Sequence, residues 1–219
     1  MTLMRVSVVS KRRRHLPWLL TQLSIDVKDF LHEPYADPTV DYNIEKAMLS
    51  LRDAARSMLA AKYRKCIISR LCISFFLTNS NSSVVGHLVT DAIVNGVVKD
   101  IELTSSVERI PFDVSDEEMT KHADDISGFL ANYPNISCCL RTLRLHNATF
   151  SENDMHNLIG NTCTQLRYLY LFQCDTGLDK SFRIDAPNSK ISKLEFFSCH
   201  SKQVEIACLP KLEVLISGH

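Results

Sequence analysis

The sequence predicts an α/β leucine-rich-repeat solenoid, with a curved parallel sheet and helical returns. Three observations predict it. A leucine pattern recurs at a step of about 25 residues, inside the range of roughly 20–29 that such repeats occupy. Within each copy the apolar residues alternate, as on a strand with one buried face. Between copies the periodicity changes to that of a helix, with caps at the expected places.

The pattern L-x-x-L-x-L-x-x-(C/A/N) is clearest in the second half. Leu140, Leu143, Leu145 and Ala148 form one copy; Leu166, Leu169, Leu171 and Cys174 the next; Ile191, Leu194, Phe196 and Cys199 a third. Weaker copies precede them: Ile68, Leu71, Ile73 and Phe76, then Val98, Ile101, Leu103 and Ser106. A strand over Leu23–Val27 opens the sheet, and Leu209, Leu212 and either Val214 or Leu215 close it. One repeat cannot bury its own leucines, so neighbours stack and bury them in one ribbon. The small residue at the end of each copy turns the chain inward.

Helices are expected in the returns. Residues 42–61 place Ile44, Met48, Leu51, Ala55, Met58 and Leu59 at helical spacing. Residues 84–94 are a second apolar helix, with Gly96 as its C-cap. Ser115 and Glu118 form a capping box for a helix that runs to Asn132 and is stopped by Pro134. Ser151 and Asp154 start another, with Met155, Leu158 and Ile159 inward and Gly160 near its end.

Composition narrows the function classes. Lys+Arg and Asp+Glu are both 25, so no global field draws the chain to nucleic acid or to an anionic membrane. No apolar run is long enough to span a bilayer, and residues 1–10 lack a signal-peptide pattern. The expectation is a cytoplasmic or nuclear protein with reduced thiols. The 8 cysteines contain no C-x-x-C pair, so neither a zinc site nor a disulfide framework is expected. The sequons at Asn81, Asn135 and Asn147 carry no meaning without secretion.

No catalytic, metal or cofactor site is expected. Cys163 with His156 and Asp154 suggests a thiol nucleophile, but no oxyanion donor accompanies it, and a buried inert thiol is the preferred reading. His146 and His156 lack a third ligand at metal spacing. The run Lys11–Arg14 reads as a solvated helix remnant, with a nuclear localisation signal as the alternative. The outward strand positions are more informative: Cys72 and Ser74, Glu102 and Thr104, Arg144 and His146, Tyr170 and Phe172, Glu195 and Phe197, flanked by Arg141, Arg167 and Tyr168. Aromatics and arginines facing away from a core suggest a protein-binding ridge. The candidate residues are Arg144, His146, Arg167, Tyr168, Tyr170, Phe172, Glu195 and Phe197. The competing reading has an inserted loop or the N-terminal segment covering them.

At these residues the chain resembles a family. Arg14–Leu20 (RHLPWLL) and Leu23–Val27 (LSIDV) resemble the segment after the F-box in plant F-box/LRR proteins. Tyr168–Gly177 (YLYLFQCDTG), Ile184–Ser189 (IDAPNS) and Cys208–Glu213 (CLPKLE) resemble the repeat region of the same FBD-like family. The resemblance implies an F-box that binds the Skp adaptor of an SCF-type ubiquitin ligase, and a repeat region that presents a protein substrate. Here only residues 1–15 precede Leu16; they resemble the last F-box helix, with Arg13 where the family has Trp. The expected organisation is therefore an F-box remnant over 1–15 and a leucine-rich-repeat domain over 16–219 without a C-terminal cap. The expected function is non-enzymatic protein binding through the outward strand face, with adaptor binding lost. The alternatives are a substrate adaptor subunit of an SCF-type ligase and a non-functional truncated gene product.

Overall fold

Alternation in short apolar runs produces nine strands among the described residues of a computed structural model, which comprise 19–31, 40–60, 62, 64–77, 81–106, 114–176, 181–199 and 203–218. Seven of them, β1 (Gln22–Asp26), β2 (Ile68–Phe76), β3 (Val98–Ser106), β4 (Leu140–Thr149), β5 (Tyr168–Asp175), β7 (Lys193–Phe197) and β9 (Val214–Gly218), form one open parallel sheet. Its order, β1-β2-β3-β4-β5-β7-β9, follows the chain. The F-box-like segment over 1–15 and the basic run Lys11–Arg14 lie outside the described residues.

Each return crosses one face of the sheet. A 3-10 turn (Val27–Phe30) and helix α1 (Val40–Leu59) follow β1, and α2 (Asn81–Val94) follows β2. Helices α3 (Asp116–Asn132) and α4 (Pro134–Cys139) follow β3. Helix α5 (Glu152–Asn157) follows β4 and continues into a π-turn over Leu158–Thr162. The last two returns are strands, not the helices that the spacing suggested: β6 (Ser181–Asp185) and β8 (Gln203–Cys208) pair in a small parallel sheet. The local pattern of β6 explains it there, since Phe182 and Ile184 are buried in strict alternation, a period of two that a helix cannot satisfy, and β8 pairs alongside it.

The caps obey local chemistry. Ser115 Oγ accepts from the Glu118 amide while the Glu118 carboxylate accepts from the Ser115 amide, closing the predicted capping box. Gly96 adopts φ +70° just beyond α2, a conformation that costs a residue with a Cβ. Pro134 does more than end α3: it opens α4, where its missing amide hydrogen is no loss. Gly160 lies within the π-turn, and Cys163 ends it.

Register determines the core. Ile25, Ile73, Leu103, Leu143, Leu169 and Leu194 occupy one continuous ladder and are buried. A second ladder runs Phe75, Ser105, Leu145, Leu171 and Phe196. Burying each large side chain contributes about 1.5–3 kcal/mol, so these ladders and the apolar faces of the returns dominate stability. One alignment in the sequence pattern is corrected, and one that it left open is decided. The ladder sets Leu143 beside Leu103 rather than Ile101, because the register shifts between Ile101 and Glu102. At the other edge Leu215, not Val214, continues the ladder from Leu194, yet it is 54% exposed.

The inward turn after each strong copy has a feature that the leucine pattern did not reveal. Asn147, Gln173 and Ser198, each one residue before the small position, all adopt left-handed backbone, at φ 53°, 48° and 51°. Asn147 Nδ2 donates to Gln173 Oε1 at 3.0 Å in the interior. The thiols of Cys174 and Cys199 then donate to the carbonyls of Leu145 and Leu171, at 3.6 and 3.8 Å. The same bend thus recurs strand after strand, and only a short side chain fits behind it.

Between α2 and α3, Tyr133 packs against Phe129 (centroids 4.9 Å apart) and His87 (5.3 Å), and its hydroxyl donates to the Ser83 carbonyl at 2.9 Å. A Cβ on Gly86 would overlap the Tyr133 ring. Gly86→Ala is therefore expected to destabilise the fold by about 1–3 kcal/mol through overpacking, despite the better helix propensity of alanine. A urea titration checks this; a rise in midpoint would show that the ring moves aside freely.

Candidate functional site on the outward face of the sheet

The residues between the inner leucines meet on the opposite face of the sheet. One row across it runs Cys72, Glu102, Thr142, Tyr168 and Lys193. The next runs Ser74, Thr104, Arg144, Tyr170 and Glu195, and a third joins His146, Phe172 and Phe197. Seven of the eight candidates, all except Arg167, therefore lie on adjoining strands β4, β5 and β7.

Tyr168 is at the centre of a charged cluster. Arg144 Cζ lies 5.2 Å and Lys193 Nζ 4.6 Å from its ring centroid, cation–π distances that contribute about 0.5–1 kcal/mol each. Its hydroxyl donates to Glu195 Oε2 at 3.0 Å, and Lys193 Nζ is 2.6 Å from Glu195 Oε1. Burial pushes Glu195 upward, but the hydrogen bonds from Lys193 and Tyr168 outweigh it and hold the carboxyl below its usual value. Burial and the Glu195 hydrogen bond raise the Tyr168 phenol. Arg144 also reaches Glu102 at 3.5 Å, and Arg70 reaches the same carboxylate at 3.3 Å.

The aromatic row is contiguous with that cluster. His146 lies 5.7 Å from Tyr170 and 5.6 Å from Phe172, and Tyr170 lies 5.6 Å from Phe197, all as tilted ring pairs. Phe197 packs over Gly218, where an added Cβ would come within 2.8 Å of the ring. Burial first, then Lys28 and Arg144, push His146 down to about 4, so at neutral pH it is an uncharged ring among rings. Tyr168, Tyr170, Phe172 and Phe197 are all half-buried.

No family model, curated protein or solved structure matches the chain. The face must be read from its own chemistry.

Two candidates differ from the rest. Glu195 is buried beneath Tyr168 and Lys193, so it organises the face rather than meeting solvent. Arg167 is exposed at the amino end of β5, where its carbonyl accepts from the Ser192 and Lys193 amides. Its side chain has no hydrogen bond or ion pair among the described residues. The sequence reading missed Lys193, although the outward series extended one step toward the amino ends of the strands would have included it. It also missed His122, buried on the same stripe of α3 as Met119, Ile126 and Phe129, with Nε2 3.3 Å from Ser105 Oγ.

Cys163 and Asp154 take part in the local structure of the α5 return. Cys163 is buried, and its thiol is pushed up to about 12 by burial, so it is protonated at neutral pH. Asp154 is engaged in the N-cap of α5, where Ser151 Oγ accepts from its amide and donates to its carboxylate. Among the described residues no group of three or more His, Cys, Asp or Glu could hold a metal ion, and no helix is long and apolar enough to cross a membrane.

Proposed function

We propose that this chain is a non-enzymatic protein-binding module, a leucine-rich-repeat solenoid of the kind with which plant F-box/LRR proteins recognise substrates, acting in the cytoplasm or nucleus. What carries the reading is one observation: the repeat's leucines share a single buried ladder, and the side chains between them share the opposite face. A sheet whose order follows the chain, with a unit of about 25 residues, fits stacked repeats. A face bearing tyrosine, phenylalanine and arginine has the composition of binding hot spots. The segment that resembles the last F-box helix, residues 1–15, lies outside the described residues.

Immobilised chain should recover a partner that Tyr170→Ala and Arg144→Ala each weaken on the order of tenfold, the effect of truncating one hot-spot residue. Lys121→Ala, on the exposed side of α3, is the control and should bind as the unaltered chain does. Normal binding by both face variants would remove the assignment.

A further inference from the structure

We draw no further inference here: the strongest candidate, the exposed apolar patch of Val214, Leu215 and Ile216 on β9 at the open edge of the main sheet, carries nothing because nothing in the structure shows what covers it.

Discussion

Leu169→Ala should cost about 3–5 kcal/mol, near the upper end for a buried leucine. Leu169 is fully buried in the middle of the inner ladder, between Leu143 and Leu194, which are fully buried themselves. Both neighbours are fixed by their own strands, so neither can collapse into the space that the lost side chain leaves. Residual cavity, rather than lost transfer energy alone, makes such substitutions expensive. Leu215→Ala provides the internal comparison. It occupies the same ladder one strand beyond Leu194, but it is 54% exposed, and its truncation should change stability by no more than about 0.5 kcal/mol. Urea unfolding of both variants, with midpoints compared at unchanged slope, measures the difference. If Leu169→Ala is no worse than Leu215→Ala, the ladder is not the core.

Legibility in the sequence followed the strength of the local physics. The three strong repeats were readable because alternation and spacing report the same constraint: Leu143, Leu169 and Leu194 meet in register as the pattern requires. The capping box at Ser115 was readable because both partners lie within four residues of each other. The weak repeats misled by one leucine, since Ile101, Leu103, Leu140 and Leu143 offer two acceptable pairings and only the bulge at Ile101/Glu102 decides between them. That bulge depends on the packing of β3 against β4, which no window of sequence contains. The strands β6 and β8 were hidden for another reason. Each return is short, and its alternation was overshadowed by the stronger repeat signal on either side.

The binding face was legible as a list of positions but not as an arrangement. Strand alternation alone points Arg144, Tyr170 and Phe172 away from the leucines. It says nothing about which partner each will choose. Tyr168 sits between Arg144 and Lys193, while Glu195 lies beneath it, because the register sets Tyr168 beside Lys193 and Tyr170 beside Glu195. A shift of two residues between β5 and β7 would keep every side chain on its face and dissolve the cluster. Ion pairs of this kind, a half-exposed cation over a largely buried carboxylate, add little net stability, because desolvation of the carboxylate offsets the attraction. Their consequence is orientation: the carboxylates are held low and the cations left accessible.

Acid should weaken the fold well before the carboxylates have fully titrated. His122 is buried in α3 beside Ser105, and burial first, then the neighbouring His146, push it down to about 4. His146, on β4, is likewise pushed down to about 4, by burial and then by Lys28 and Arg144. Both rings are neutral in the folded chain, whereas in the unfolded chain they take up protons near the ordinary value of 6.5. Between pH 6.5 and 4 the unfolded state therefore binds more protons, and stability falls as pH falls. It is fully retained above pH 6.5 and levels off, as far as these two groups are concerned, below pH 4. His122 alone contributes up to about 3 kcal/mol to that loss. The two rings would also repel each other if both were charged, so they do not titrate independently. His122→Gln keeps a hydrogen-bonding group near Ser105 but cannot titrate. Its unfolding free energy, measured by urea from pH 7.5 to 4, should fall less steeply than that of the unaltered chain by close to one proton. Parallel profiles for the two proteins would mean that His122 is already accessible to solvent in the folded state and that α3 does not seal it against the sheet.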